Sequence, residues 1–222
     1  MLVTENLVKD YHVGQETVHA LQNVNFETTA GDFTVINGPS GSGKSTFLNL
    51  IACIDRPTSG EVYIDGEATS QLTESQLAEL RKRKIGLVFQ TFNLIPVLSA
   101  YENVEYPLLL LGLKRSERKE RVMKLLEQVD IQNLAKRRPD EISGGQRQRV
   151  AIARALVTEP KIVLADEPTA NLDSETGKKV MSIMRRLNEE HKVAFLVVTH
   201  DPVVTNYAKR TINIRDGQLL ED

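Results

Sequence analysis

Short apolar runs recur along the chain, and three of them predict strands buried inside a sheet. These runs are residues 33–37, 161–165 and 193–199. Residues 161–165 are almost fully apolar, as expected for a parallel strand covered on both faces. Other segments alternate between apolar and polar positions or form brief apolar stretches, and they predict the remaining strands: residues 2–11, 18–29, 61–65, 85–89, 211–214 and 218–221.

Between these strands, apolar residues recur at helical spacing. In residues 117–129 they fall on one face, at Val122, Leu125, Leu126 and Val129. Helices are predicted at residues 44–52, 73–84, 117–129, 143–157 and 174–191, with a short one after Pro202.

The order of these elements predicts one α/β domain over residues 1–222. Residues 1–90 and 159–222 are expected to form the core and a β subdomain. Residues 91–158 change character, and they predict an inserted, mainly helical subdomain.

Composition and charge narrow the functional classes. The formal charge of −2 at pH 7 gives no overall basis for binding nucleic acid, and none is expected as a partner. The single cysteine, Cys53, cannot form an internal disulfide and suits a reducing cytosol. The most lipid-like stretch, residues 104–113, is too short to span a bilayer. A membrane role would therefore depend on a partner.

Two segments allow more than one interpretation. The basic run at residues 81–84 is compatible with nucleic-acid binding, but a solvated helix end is favoured, because cations stabilise helix C-termini. An apolar cluster lies between residues 92 and 101, and either core packing or a docking groove for another protein explains it. Its members are Phe92, Leu94, Ile95, Pro96, Val97, Leu98 and Tyr101.

Residues 38–46 read GPSGSGKST and directly follow a predicted strand. Two glycines separated by four residues and followed by Lys and Ser match a phosphate-binding loop, whose N–H groups form an anion site at a helix start. Lys44 is expected to contact the β- and γ-phosphates, and Ser45 to bind Mg²⁺. A Gly/Ser-rich surface turn is the alternative, which the flanking strand and helix disfavour. The predicted binding residues are Gly38, Pro39, Ser40, Gly41, Ser42, Gly43, Lys44, Ser45 and Thr46.

Two acidic residues, Asp166 and Glu167, end the apolar strand at residues 161–165. Ligands of α/β sheets bind at the carboxyl ends of the strands, so both carboxylates are expected to face the phosphates. Asp166 is predicted to hold Mg²⁺ opposite Ser45, and Glu167 to orient and polarise the water that attacks the γ-phosphate.

A third motif, ISGGQ at residues 142–146, has a good helix N-cap in Ser143, followed by two glycines. It predicts a second anion site at a helix start. With the other motifs it resembles the signature of ATP-binding cassette (ABC) ATPases, in which Leu usually stands where this chain has Ile142. The resemblance implies the P-loop NTPase fold of ABC ATPases, with a mostly parallel core sheet, an antiparallel β subdomain and an inserted α-helical subdomain. It also implies contacts to ATP from Ser143, Gly144, Gly145 and Gln146.

The remaining motifs of the family occur in the expected order over nearly the whole chain. The resemblance implies that Gln90 is the Q-loop residue and a metal ligand, and that Asp173, in the D-loop, is a nucleotide-binding residue. It also implies that His200 is the switch histidine and that Tyr11 stacks on adenine. Residues 49–55, 165–174 and 198–201 are similar to the lipoprotein-release and macrolide-export (LolD/MacB-type) subgroup. Catalytic roles are thus expected for Glu167, His200 and Gln90.

The resemblance also implies partners. A second copy of the chain would complete each ATP site in a head-to-tail dimer. A separate integral-membrane permease would dock near the segment from Phe92 to Tyr101, at the cytoplasmic face of the membrane. One alternative is a mechanotransmitter, which moves a membrane partner without transporting solute. Another is a soluble ABC ATPase that acts on nucleic acid, although such proteins usually carry a coiled coil or two cassettes. A non-enzymatic nucleotide sensor is disfavoured by Asp166, Glu167 and His200.

Overall fold

The structure, a computed structural model, describes residues 1–220. The strands are β1 (Leu2–Val13), β2 (Glu16–Thr28), β3 (Phe33–Asn37), β4 (Ser59–Ile64), β5 (Glu67–Ala68), β6 (Ile85–Val88), β7 (Ile162–Asp166), β8 (Ala194–Thr199), β9 (Arg210–Arg215) and β10 (Gln218–Leu220). The α-helices are α1 (Lys44–Ile51), α2 (Glu74–Lys84), α3 (Ala100–Leu110), α4 (Arg115–Gln128), α5 (Gly144–Leu156), α6 (Ser174–His191) and α7 (Pro202–Thr205). Glu221, where the last strand was expected to end, lies outside the described residues.

The strands form two sheets. The larger one has six strands in the order β10-β9-β3-β8-β7-β6. All its neighbours pair in parallel except β10 and β9, which form an antiparallel hairpin. The smaller sheet, β2-β1-β4-β5, is antiparallel throughout. The prediction of an α/β fold with a mostly parallel sheet and an antiparallel β subdomain is therefore confirmed.

The six-stranded sheet is covered on both faces, which explains its apolar runs. Phe195 and Val197 of β8 belong to one hydrophobic cluster, together with α5 and α6. Leu196 and Val198 belong to the other cluster, together with α1 and the smaller sheet. Because successive side chains of a strand point to opposite faces, a strand that separates two cores must be apolar at every position.

Helices α3, α4 and α5 lie between β6 and β7 in the chain. They pack into the same hydrophobic cluster as Phe195 and Val197 of β8, and Val122, Leu126 and Ile152 are fully buried there. A mainly helical segment was predicted here, and its treatment as a separate subdomain over residues 91–158 stays a prediction. No helix of residues 1–220 is both long enough and apolar enough to cross a bilayer.

Helix α3 was not predicted individually, and Tyr101, expected in a loop-like segment, lies in its first turn. The apolar residues of this helix fall on several of its sides, and Pro107 lies inside it. The one-sided apolar pattern by which an amphipathic helix is recognised is therefore weak. Asn103, which is fully buried, holds the preceding segment: its Oδ1 accepts from the Ile95 N–H at 2.8 Å and its Nδ2 donates to the Leu98 carbonyl at 3.0 Å.

The basic run at residues 81–84 forms the last turn of α2. Each side chain has a partner within the chain. Arg81 donates to the Cys53 carbonyl, Lys82 and Arg83 pair with Glu79, and Lys84 pairs with Asp65. This arrangement fits the helix-end interpretation of the run.

Candidate nucleotide-binding site

Four parallel strands bring the predicted site residues to one edge of the sheet. Strands β3, β8, β7 and β6 run in the same direction, and Asn37 pairs in register with Thr199, as Asp166 does with Val198. The residues that follow these strand ends therefore meet. They are the phosphate loop (residues 38–46), His200, Glu167 and Gln90.

The phosphate loop needs its glycines for two different reasons. Gly41 and Gly43 have φ of 81° and 103°, a region that side chains disfavour. Gly38 and Gly43 are also crowded: a Cβ atom would lie 2.3 Å from the Ile214 carbonyl oxygen at Gly38 and 2.6 Å from the Ala20 carbonyl oxygen at Gly43. Helix α1 starts at Lys44 without a side-chain cap, which leaves its first N–H groups available to an anion.

Lys44 folds back over the loop. Its Nζ donates to the carbonyl oxygens of Gly38 and Pro39, both at 2.8 Å, and the residue is only 7% exposed. An ammonium group has three hydrogens. Two of them brace the loop, and the third can be donated to a phosphate oxygen.

Ser45 and Asp166 face each other across the site. The Ser45 hydroxyl lies 3.3 Å from Oδ2 and 3.4 Å from Oδ1 of Asp166. Burial raises the pKa of Asp166 above its ordinary value, and the charge of Glu167 adds to this, while Ser45 and Lys44 oppose it. A hydroxyl and a carboxylate are hard oxygen ligands of the kind that Mg²⁺ prefers, so the donor set fits this ion.

Glu167 is held tightly beside the strand ends. Its φ is 45°, and its backbone N–H donates to the Val198 carbonyl at 3.0 Å. One carboxylate oxygen accepts from the Thr199 hydroxyl at 3.0 Å, and the other lies 2.7 Å from Nδ1 of His200. Thr199, which the sequence motifs did not single out, thus orients the carboxylate.

A cavity of about 890 Å³ joins these groups. The predicted residues that line it are Tyr11, Pro39, Ser40, Gly41, Gly43, Lys44, Ser45, Thr46, Gln90, Asp166, Glu167 and His200. Most of the predicted site is therefore brought together. The cavity is large, and Lys44, Ser45 and Asp166 give it charged and polar groups, as a nucleoside triphosphate requires.

Some of the lining residues were missed by the sequence motifs. They are Val18, His19, Ala20 and Gln22 of β2, and Asp216 and Gly217 of the turn between β9 and β10. The Gly217 N–H donates to the Ser42 carbonyl at 3.1 Å, and the Gln22 N–H donates to the Gly217 carbonyl at 2.8 Å. Among these residues the sequence indicated only the turn at Asp216-Gly217. A turn signal does not show which distant residues, here Gln22 and Ser42, the turn will contact.

The signature segment (residues 143–146) is not part of this cavity. Ser143, Gly145 and Gln146 line a second cavity of about 270 Å³, which shares no described residue with the first. Ser143 caps α5 by accepting from the Gln146 N–H at 3.3 Å, and Gly145 lies so close to Thr176 that a Cβ would be 2.3 Å from its Cγ2.

Asp173 and Gln90 occupy different positions around the site. Asp173 caps α6 by accepting from the N–H groups of Glu175 and Thr176 at 3.1 and 3.0 Å, and it does not line the larger cavity. Gln90 is exposed within that cavity, and its carbonyl accepts from Nδ2 of Asn171 at 2.9 Å. This bond connects the end of β6 to the segment that follows Glu167.

Comparison with known proteins gives extensive matches. A sequence profile of the ABC transporter family matches residues 21–170. An uncharacterised ABC transporter ATP-binding protein of Methanocaldococcus jannaschii, MJ0796, is 48% identical over 99% of this chain and 95% of its own length. The macrolide export ATP-binding/permease protein MacB of Syntrophobacter fumaroxidans is 45% identical over 99% of this chain, which corresponds to 31% of that protein.

Solved structures agree with these matches. A dimeric structure of MJ0796 in a post-hydrolysis state, bound to ADP and phosphate, superimposes with a TM-score of 0.90 and covers 99% of this chain and 96% of that one. CbiO1 of Clostridium perfringens, part of an ABC transporter complex, superimposes with a TM-score of 0.89 at 31% identity, over 99% of this chain and 86% of its own.

Proposed function

This chain belongs to the ABC transporter family and is an ATPase of the ATP-binding cassette type, and we propose that it powers a separate membrane subunit of an exporter. The observation that carries the proposal is the convergence of Lys44, Asp166, Glu167 and His200 on one cavity. These are the groups needed to bind and hydrolyse a nucleoside triphosphate. Export is supported by the similarity to the macrolide export protein MacB.

In the proposed complex the phosphate loop binds the triphosphate. The N–H groups at the start of α1 and the free hydrogen of Lys44 donate to the β- and γ-phosphate oxygens. Ser45 and Asp166, with Gln90 beside them, would hold Mg²⁺, which would neutralise charge that develops on the phosphates. Tyr11, which lines the same cavity, stacks on the adenine.

Glu167 is the proposed general base. Its carboxylate faces the cavity and is oriented by Thr199 and His200, at 3.0 and 2.7 Å. In the hydrolytic step this carboxylate accepts a proton from the attacking water. His200, whose side chain is 65% exposed, can also donate a hydrogen bond to the γ-phosphate.

A second copy of the chain is the proposed partner at each nucleotide. The signature segment offers N–H groups at the start of α5, yet it lines a cavity separate from the phosphate loop. In a head-to-tail dimer the signature segment of one copy can reach the γ-phosphate held by the other. MJ0796 has been solved as a dimer, which supports the pairing of two copies.

The segment between β6 and α3 is the proposed docking site for the membrane subunit, at the cytoplasmic face of the membrane. Val97 is 71% exposed there, and Leu110, the last residue of α3, is 55% exposed. Leu110 lines a mostly apolar groove of about 310 Å³, together with Phe89 and Pro107 among others. Arg154 fixes the segment by donating to the Phe92 carbonyl at 2.9 Å.

The variant Glu167→Gln tests the proposed enzymatic role. It removes the base but preserves size and polarity, so we expect ATP turnover to fall by about 10²–10⁴-fold. ATP should still bind and should trap a dimer that elutes early in gel filtration. Glu189→Gln, which removes a surface partner of Arg185, is the control and should turn over normally. Normal turnover of Glu167→Gln would show that another group is the base.

Fractionation of cells tests the proposed membrane partner. The wild-type chain should sediment with membranes, and Val97→Glu should shift it to the soluble fraction, because a charge would enter an apolar contact. Val203→Glu, at a residue of α7 that is 38% exposed, should remain with the membranes. Equal distribution of all three proteins would contradict docking at Val97.

A further inference from the structure

The aromatic ring proposed to stack on adenine is fastened to a carboxylate outside the nucleotide cavity. The hydroxyl of Tyr11 donates to Oδ2 of Asp55 at 2.9 Å. The other oxygen of this carboxylate accepts from Nζ of Lys9 at 2.8 Å and from the Arg56 N–H at 2.7 Å. Neither Lys9 nor Asp55 is among the described residues that line the cavity.

Asp55 belongs to the segment that follows α1, and this segment is attached on two sides. Its backbone N–H and that of Ile54 donate to the Asn49 carbonyl at 3.3 and 2.9 Å, so it continues directly from the helix of the phosphate loop. Thr58 binds β1: its N–H donates to the Val8 carbonyl and its hydroxyl accepts from the Asp10 N–H, both at 2.9 Å. The carboxylate therefore links Tyr11 to the helix of the phosphate loop.

Lys9 completes the arrangement. Its Nζ lies 4.8 Å from the centroid of the Tyr11 ring, so a cation covers one face of the ring. The same Nζ donates to the Arg56 carbonyl at 2.7 Å, and the Lys9 side chain is only 12% exposed. Lys9 covers one face of the Tyr11 ring and Asp55 holds its hydroxyl, so the other face of the ring remains available to a nucleobase.

The network holds Asp55 in its charged form. Burial on its own would raise the pKa of Asp55, but hydrogen bonds from Lys9, Tyr11 and the Arg56 backbone outweigh it and bring the pKa below its ordinary value. Hydrogen bonds to an ionised carboxylate are stronger than those between neutral groups. The hydroxyl of Tyr11 is therefore held by a charge-assisted bond.

We propose that Asp55, braced by Lys9, is a positioning residue that fixes the Tyr11 ring at the distance from the phosphate loop that an adenine nucleotide requires. The inference rests on the proposed function, since it assumes that Tyr11 stacks on adenine. Without the bond the ring lies at an exposed hairpin end and must lose rotamer freedom each time a nucleotide binds. Asp55 thus acts on the affinity for the base and leaves the grip on the phosphates unchanged.

Binding of two ligands to the full chain tests this inference. ATP offers an adenine to Tyr11 as well as phosphates to the loop, whereas inorganic tripolyphosphate offers phosphates alone. By calorimetry with Mg²⁺ present, we expect Asp55→Ala and Tyr11→Phe each to weaken ATP binding about three- to tenfold, the scale of one lost ordering contact. Both variants should bind tripolyphosphate as the wild type does.

The double variant separates a positioning role from a general structural one. If Asp55 acts through the Tyr11 hydroxyl, Asp55→Ala should have no further effect on ATP binding in the Tyr11→Phe background. Asp65→Ala is the matched control, because Asp65 also pairs with a lysine, Lys84 at 3.1 Å, and it should leave both affinities unchanged.

Three results would overturn the inference: additive losses in the double variant, equal losses for ATP and tripolyphosphate, or wild-type ATP affinity in Asp55→Ala. A wild-type chain that bound neither ligand would instead overturn the proposed function, and the inference with it.

Discussion

The Nδ1 atom of His200 lies 2.7 Å from Oε1 of Glu167. The second oxygen of the same carboxylate accepts from the Thr199 hydroxyl at 3.0 Å. The Glu167 side chain is 12% exposed, whereas that of His200 is 65% exposed. The histidine therefore covers the carboxylate on its open side, and the two side chains form one unit at the end of neighbouring strands.

Removal of the histidine should slow hydrolysis far more than it weakens ATP binding. We expect His200→Ala to lower turnover by about 100-fold, because Glu167 loses an orienting partner and the γ-phosphate loses a donor. His191→Ala, at another exposed histidine whose ring lies 3.1 Å from the Gln128 side chain, is the control. Steady-state turnover and ATP affinity are measured for both. Wild-type turnover in His200→Ala would contradict a catalytic role for the pair of His200 and Glu167.

Two serines with the same local role distinguish dimer formation from folding. Ser143 and Ser99 both cap a helix in a capping box and accept from an N–H at 3.3 Å. Changing either to Ala should cost about 1 kcal/mol of unfolding free energy. Only Ser143→Ala should also weaken the ATP-dependent dimer, as measured by light scattering with the Glu167→Gln background. Equal dimerisation of the two variants would contradict a role for the signature segment between copies.

Two glycines with positive φ distinguish crowding from backbone strain. Gly43 has φ of 103° and no room for a Cβ, whereas Gly112 has φ of 71° and nothing within 4 Å of that position. We expect Gly112→Ala to cost about 1 kcal/mol from strain alone. Gly43→Ala should cost about 3 kcal/mol, because the contact with the Ala20 carbonyl is added. Urea unfolding measures both, and equal costs would mean that β2 moves aside readily.

Loss of the charge of Asp166 should stabilise the nucleotide-free chain. Burial raises the pKa of Asp166 above its ordinary value of 3.8. The folded state therefore favours the protonated form, and this contribution to stability is lost as the pH rises through the raised pKa. Asp166→Asn cannot ionise, so its melting temperature should exceed that of the wild type at pH 7 and approach it towards pH 4. A lower melting temperature of the variant at pH 7 would contradict this.

Much of the fold could be predicted because local patterns report local structure. The buried strands β3, β7 and β8 were recognisable as apolar runs, since both of their faces are covered. Helix α3 was not recognised, because its apolar residues fall on several sides and Pro107 interrupts the apolar spacing of a helix. Asn103 of this helix holds the preceding segment through hydrogen bonds to Ile95, and no periodicity in the sequence indicates such a contact.

Most of the candidate site could also be predicted, because its motifs are short. The missed residues are of another kind. Thr199 contacts Glu167 across two neighbouring strands, and the N–H of Gly217, in the turn between β9 and β10, donates to the Ser42 carbonyl of the phosphate loop. Contacts between such distant residues depend on strand order and register, which no local pattern encodes.

The sequence by itself determined the chemical groups of this protein and their local settings: a glycine-rich loop before a helix, acidic residues at a strand end and a capped signature helix. Those features follow from residue type and spacing over a few positions. Only the tertiary structure decided which of them meet. It joins Glu167 to His200 and Asp55 to Tyr11, and it keeps the signature segment away from the phosphate loop. The reason is that these contacts arise from the order of the strands and the packing of both sheet faces, which involve the whole chain at once.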